Sequence, residues 1–523
     1  MTIIEILAEN ARKYAQETSL IEREPASGRR REITWLEFDR QANQYANALI
    51  ARGVKRGDRV AILMMNCLEW LPIYFGTLRA GAMAAPLNFR FTAEEIRKCI
   101  KAAGAKVLFY GPEFADRIAE IRNQLDCLER CIYVGADSAG DLFCPAGSEN
   151  HHQLLSEAPA NDPGIAFSDQ DEAALYFSSG TTGTPKPIIL THANLLSACI
   201  TENTHHRQTH GDNFICIPPL YHTGAKMHWF GSFLVGSRAV ILRGVKPRWI
   251  LEAVSEERAT IVWLLVPWAQ DIIDAIESGE VDLSNYRLDQ WRLMHIGAQP
   301  VPPSLIKDWL KHFPRHQYDT NYGLSESTGP GCVHLGLANI HKVGAIGVPG
   351  HGYETMIVDE NGQPVPSGKV GELIVRGPGI MKGYYNNPEA TRTALKDGWL
   401  YTGDMCKQDA DGFIFLVDRK KDVVISGGEN IFPVEIEDFL QAHEDIKDVA
   451  VIGMPDKRLG EIPVAIVEPK AGRSLTEARV LEFCEALPRY KRPRHVFFDK
   501  VPRNPTGKIE KPCLRQRFFA SVV

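Results

Sequence analysis

The chain has no apolar run long enough to cross a bilayer: a stretch such as Ile261 to Ala269 falls far short of the roughly 20 residues a spanning helix needs. It has no surplus of positive charge. With 59 Lys and Arg against 65 Asp and Glu the net charge is −6, which leaves no basic excess to displace counterions from nucleic acid. It has no paired CxxC clusters. Its eleven cysteines are scattered, Cys127 and Cys131 excepted, a usage that fits reduced, mostly buried thiols and points to the cytoplasm. Short-period repeats and low-complexity segments are absent too. The opening MTIIEILAENARKYAQ sets Glu5 and Glu9 among its apolar residues, so no secretory leader is expected. THHRQTH, Thr204 to His210, holds no acid and has a loop-like context, so solvated histidines are expected there rather than a metal site.

What is present is an ordinary globular composition, 44% hydrophobic and 24% charged, in 523 residues. That length exceeds one core, so more than one domain is expected. Short β-rich runs alternate with helical patterns through the first two-thirds. RVAILM (from Arg59), KVLFY (from Lys106) and CIYVG (from Cys131) read as strands, and TAEEIRKCIKAAG places Ile96, Cys99, Ile100 and Ala103 on one helical face. NFICI (from Asn213), RAVIL (from Arg238), ATIVWLL (from Ala259) and RLMHI (from Arg292) repeat the pattern. The expectation is two α/β subdomains built on parallel sheets. After about Gly344, strand-like runs around the Asn361-Gly362 and Asp411-Gly412 turn signals predict a small antiparallel, barrel-like β-element. Beyond Arg419 a tail of about a hundred residues predicts a small α+β domain. The expected division is an N-terminal domain over 1–418, a hinge at 419–421 and a mobile C-terminal lid over 422–523.

LYFSSGTTGTPKPIIL, Leu175 to Leu190, holds a glycine- and hydroxyl-rich loop between two strand-like runs. A Walker loop requires a glycine before its lysine and Ser or Thr after it. Here Pro185 and Pro187 flank Lys186, and Pro187 disfavours a helix starting at the lysine. The loop still suits phosphate. Gly180 and Gly183 let backbone amides turn towards an anion, Ser178, Ser179, Thr181 and Thr182 add hydroxyl donors, and Lys186 adds charge.

SSGTTGTPK, together with NYGLSEST (from Asn321), GWLYTGD (from Gly398), DRKKDVVISGGENIFPVEIE (from Asp418) and PRNPTGKIEK (from Pro502), resembles the adenylate-forming superfamily. That superfamily includes acyl-CoA synthetases, adenylation domains of peptide synthetases and firefly luciferase. The five motifs stand in the order the family requires, and the resemblance covers essentially the whole chain. It implies an AMP-forming ligase that uses ATP, Mg²⁺ and coenzyme A. Joining a carboxylate to the α-phosphate sets two anions against each other, so donors and cations must be placed where charge accumulates. By resemblance Lys508 bridges the two anions, and Glu326 is the magnesium ligand. Gly297, Ala298 and Gln299 lie along adenine, Tyr322 stacks on it, and Thr320, Asn321, Gly323 and Ser325 complete the nucleotide wall. Asp404 accepts from the ribose hydroxyls, with Arg419 beside it. Lys421 takes the hinge position about which the lid turns between half-reactions. Gly427 and Gly428 then leave room for the pantetheine arm.

For the acid, the resemblance places Tyr221, His222, Thr223, Gly224, His228, Val266, Asn321, Gly329 and Pro330 around the acyl chain, with His222 closing over the carboxylate. Asn321 stands where many relatives carry glycine, and Lys226 and His228 are polar where methylenes would need apolar walls. A short or compact acid, polar or ring-bearing, is expected. The alternatives are a long-chain fatty acid, or an enzyme that delivers its acyl group to a carrier protein or an amine. No carrier-like segment follows Val523 in the sequence, which favours a stand-alone ligase, monomeric or homodimeric, with no membrane span and no nucleic-acid partner.

Overall fold

A computed structural model describes residues 1–135, 144–177, 186–297, 301–334, 336–427, 429–503 and 509–519, with only the backbone of 225–230. An eight-stranded sheet runs in the spatial order Gly383–Tyr384, Pro187–Thr191, Glu172–Phe177, Met83–Pro86, Arg59–Leu63, Val107–Tyr110, Arg130–Tyr133 and Glu149–Asn150. A seven-stranded sheet runs Gln317–Asp319, Leu293–Gly297, Ile261–Leu265, Asn213–Cys216, Arg238–Leu242, Thr18–Glu24 and Arg29–Thr34. These are the two α/β subdomains expected from the alternating pattern. The helix Ala93–Ala103 buries Ile96, Cys99, Ile100 and Ala103, starts on a Thr92–Glu95 capping box and ends at left-handed Gly104.

The sheets are not wholly parallel as expected. Arg29–Thr34 runs antiparallel to Thr18–Glu24, and Pro187–Thr191 runs antiparallel to Glu172–Phe177. The cause is connection length, because a few residues can return the chain beside itself whereas a parallel neighbour needs a long crossover. The second reversal matters for function, since Phe177 pairs with Pro187 at the neck of the segment 178–186.

Downstream, Glu354–Val358, Val370–Arg376, Trp399–Gln408, Leu395–Lys396 and Ile414–Arg419 form an antiparallel sheet, as the turn signals predicted. The last body is a mixed sheet of Glu429–Ile431, Val424–Ser426, Gly460–Pro469, Ile446–Asp456 and His495–Phe498, packed with the helices Pro433–Gln441, Glu477–Phe483 and Lys511–Phe519. All eleven cysteines are free. Among the described residues no helix is long and apolar enough to cross a membrane.

Candidate active site

Asp404 and Arg419 are register partners on neighbouring antiparallel strands. Asp404 is buried, with Oδ1 3.4 Å from Arg419 Nε, and its Oδ2 accepts the Tyr322 phenol at 2.5 Å. Burial and the Asp404 carboxylate push the Tyr322 phenol well above its ordinary pKa, so it stays a donor. The turn before Asp404 is braced: Gly403 takes φ +72°, its N–H donates to Glu372, and Lys420 Nζ donates to the other oxygen of Glu372 at 2.8 Å.

A few residues along from Tyr322, Glu326 accepts the Tyr384 hydroxyl on Oε1 at 2.9 Å, and its carbonyl accepts from the Met381 amide. Tyr384 is held by the pairing of Gly383–Tyr384 with Ile188 and Ile189, on the strand that leaves the phosphate-loop candidate. The Lys186 ammonium lies 5.5 Å from the centroid of the Tyr384 ring. Tyr384 thus joins Glu326 and Lys186, and the sequence reading missed it. The segment between Gly323 and Pro330 folds back on itself, so that a side chain at Gly323 would collide with the Gly329 carbonyl.

A third group gathers at the acyl-pocket candidates. Asn66 clamps the turn ahead of Tyr221, accepting the Leu220 amide at 2.8 Å and donating to the Pro218 carbonyl at 2.9 Å. Tyr221 packs edge-on against Phe89 and beside His222. Thr223, at the start of the helix Thr223–Leu234, donates to Ser325 Oγ at 3.3 Å, and Gly224 lies against the Trp263 ring. Gly297 closes its strand beside His295 and Trp263, whereas Val266 packs into the core formed with Leu264 and Ile296. Gly329 abuts Ala198 and the Tyr353 hydroxyl, and Pro330 is buried next to it. Thr320 is buried and accepts the His334 amide on its carbonyl.

One expectation is overturned here. The histidines of THHRQTH are not all solvated: Thr204 to His206 end the helix His192–His206, and His206 is buried between Glu202 and Asp319. The acids lie outside the quoted stretch, one a helical turn earlier and the other far along the chain. The Glu202–His206 spacing of four residues was the available signal.

In the last body Gly427 takes φ +60° in the turn between Val424–Ser426 and Glu429–Ile431, donating to the Leu459 carbonyl. Lys421 is exposed at the start of this body. Ser178, Ser179, Gly180, Thr181, Thr182, Ala298, Gln299, Gly428 and Lys508 lie outside the described residues, as do the side chains of Lys226 and His228. The neck of the segment bearing Lys508 is described: Arg503 bridges Ile509 and holds Asp448 through two guanidinium nitrogens at 2.7 Å each.

Comparison with known proteins agrees with this geometry. Residues 7–385 match the AMP-binding enzyme family, and residues 435–508 match the AMP-binding enzyme C-terminal domain. A feruloyl-CoA synthase of Amycolatopsis sp is 34% identical over 491 residues, covering 93% of this chain and 94% of its own. The long-chain-fatty-acid–CoA ligase FadD13 of Mycobacterium tuberculosis is 32% identical over 492 residues, 94% of each chain. The crystal structure of the anthranilate CoA ligase AuaEII in complex with anthranoyl-AMP superposes with a TM-score of 0.88 at 27% identity, covering 100% of this chain and 98% of that one. Five motifs in register, a fold shared end to end and relatives that are CoA ligases lead to one conclusion: the chain belongs to the AMP-binding enzyme family and is an AMP-forming acid–thiol ligase.

Proposed function

We propose that this ligase activates a compact, polar or ring-bearing carboxylic acid at the junction described above. Supporting the nucleotide side of this reading is the convergence of Tyr322, Asp404 and Arg419 at one corner, with Ser325 and Glu326 on the same segment as Tyr322; the acid side rests on the polar Asn321 among the acyl-pocket candidates. Asp404 offers a buried carboxylate to the two ribose hydroxyls, with Arg419 alongside. Gly297, Ala298, Gln299, Thr320, Asn321 and Gly323 line the nucleotide, and Tyr322 borders adenine while anchored to Asp404.

In the first half-reaction a carboxylate oxygen attacks the α-phosphorus, and the bond to pyrophosphate breaks. Lys508, Lys186 and the hydroxyl and amide donors of Ser178, Ser179, Gly180, Thr181 and Thr182 hold the charge that accumulates. Glu326 suits Mg²⁺, being a partly buried hard-oxygen donor whose orientation Tyr384 fixes; the ion, when bound, neutralises phosphate charge. In the second half-reaction a CoA sulfur attacks the acyl carbonyl and AMP leaves. The body after Lys421 turns between the steps, withdrawing Lys508 and bringing Gly427 and Gly428 to the pantetheine arm. His222 swings with the acid's carboxylate, and Tyr221, Thr223, Gly224, His228, Val266, Asn321, Gly329 and Pro330 bound the acyl group. The protein works as a monomer or homodimer.

The test is product analysis. Pyrophosphate should be released with Mg²⁺ and a suitable acid, AMP should appear only when CoA is also present, and ADP with phosphate would refute the scheme.

A further inference from the structure

A cavity of about 250 Å³ lies at the end of the eight-stranded sheet where Arg59–Leu63, Met83–Pro86 and Glu172–Phe177 begin. The segment 178–186 leaves the opposite end of Glu172–Phe177, a strand length of roughly 20 Å away. None of the residues lining the cavity belongs to the nucleotide, acyl or CoA assignments. Its volume falls just below the roughly 300–1,000 Å³ of drug-sized sites, so it suits a small metabolite.

The lining carries both signs of charge. Arg56 and Lys382 are more than half exposed and mark the rim; Arg56 pairs with Asp171, and Lys382 Nζ lies 2.7 Å from Glu172 Oε1. The two acids are less exposed, and among the described residues Asp171 Oδ1 and Glu172 Oε2 receive no hydrogen bond. His192 also lines the cavity. It opens the helix His192–His206, its amide held by the Asp171 carbonyl at 3.1 Å. Its side chain is only 2% exposed, and its Nδ1 is buried with no hydrogen-bond partner. Burial pushes its pKa down to about 4, so near neutral pH the ring is uncharged and one of its nitrogens accepts. Phe167 packs on it with ring centroids 5.6 Å apart, and Leu78 and Ala82 add apolar wall. An unpaired buried polar atom is costly, and a polar cavity is where its partner can enter.

We propose that this cavity is a second binding site, separate from the catalytic one, for a free α-amino acid with an apolar side chain. The ammonium has three N–H donors, and Asp171, Glu172 and the His192 imidazole supply three acceptors. The carboxylate meets Arg56 and Lys382 at the rim, where charge-assisted hydrogen bonds are the strong ones. The side chain lies against Phe167, Leu78 and Ala82. Charge balance decides for a zwitterion. Two cations and two anions line the cavity, so a simple anion is opposed by Asp171 and Glu172, and a simple cation by Arg56 and Lys382.

Isothermal titration of the whole chain, without ATP or CoA, tests this with L-phenylalanine and L-leucine. Each is compared with its decarboxylated amine and its deaminated acid, 2-phenylethylamine and 3-phenylpropanoate for the first, 3-methylbutylamine and 4-methylpentanoate for the second. At least one amino acid should bind, and Glu172→Gln and Lys382→Met should each weaken it about tenfold or more. The matching amine and acid should show no binding that these variants remove. Urea denaturation checks that the variants stay folded, and Arg56→Gln, at the same rim, replaces either one that does not. No binding by either amino acid at millimolar concentration overturns the inference. An affinity that the variants leave unchanged also overturns it, because the amino acid is then held elsewhere. So does an amine or acid that binds as tightly as its amino acid and is lost in the same variants.

Discussion

The Tyr384 hydroxyl donates to Glu326 Oε1 at 2.9 Å while the ring of Tyr384 faces the Lys186 ammonium at 5.5 Å. One phenol thus orients the proposed magnesium ligand and borders the phosphate-loop lysine, from a two-residue strand far along the chain. Tyr384→Phe keeps the ring and loses only the hydrogen bond. A bond to a charged group is worth roughly 1.5–3 kcal/mol, so the Mg²⁺ concentration for half-maximal activity should rise about tenfold or more. Magnesium titrations of wild type and variant at saturating ATP check this, and an unchanged midpoint would separate Tyr384 from the metal.

Asp404 is the proposed acceptor of the ribose hydroxyls, and Arg419 and Tyr322 fix its geometry. Asp404→Ala should raise the KM for ATP by about 10- to 100-fold, the loss expected for one charged hydrogen-bond acceptor. The KM for the acid should move far less. Isothermal titration with ATP, alongside steady-state kinetics, distinguishes this from a general loss of fold.

The two half-reactions should respond differently to two lysines. Lys508→Ala should slow acyl-adenylate formation by about 10²–10³-fold, as for loss of one preorganised donor, and largely spare thioester formation from pre-made acyl adenylate. Lys421→Pro should do the reverse, since a fixed φ at the proposed hinge would obstruct the proposed rotation but leave the first chemistry intact. Rapid-quench assays of each half-reaction decide the matter.

Asp418 should give stability a pH signature. It is buried, and that burial pushes its carboxyl up from 3.8 to about 6, partly offset by Lys511 and by the Val434 and Arg419 amides that it accepts. A folded-state pKa above the unfolded one means stability present below about pH 4 and lost as pH rises through about 6. Asp418→Asn cannot ionise. Between pH 4 and 6 its stability relative to wild type should therefore improve by roughly 2–3 kcal/mol, whatever constant offset the substitution brings. Urea denaturation across pH 4–8 provides the measurement, and parallel curves would exclude the effect.

Local pattern carried the fold well, and long-range pairing was where it stopped. The helix Ala93–Ala103 and strands such as Arg59–Leu63 and Arg238–Leu242 were legible because their apolar spacing is set within a few residues. Strand order was not legible. That Thr18–Glu24 lies beside Arg238–Leu242 depends on contacts more than two hundred residues apart. Motif residues such as Tyr322, Glu326 and Asp404 could be named from the sequence, yet their mutual geometry could not. Tyr384 carried no local mark, and its role appears only once its strand adds to Pro187–Thr191. The burial of His206 was not legible in THHRQTH because its partners Glu202 and Asp319 lie outside that stretch.

The placement of Thr18–Glu24 also bears on how the molecule is made. Its apolar Leu20 and Ile21 emerge from the ribosome early, yet their neighbours Ala239 and Val240 are translated more than two hundred residues later. Until then the hairpin with Arg29–Thr34 has one sticky edge exposed, the kind of surface that chaperones shield during synthesis. Ordering of the second α/β unit is thereby deferred until the chain has passed Leu242, and a nascent fragment ending earlier would carry a strand with nowhere to dock.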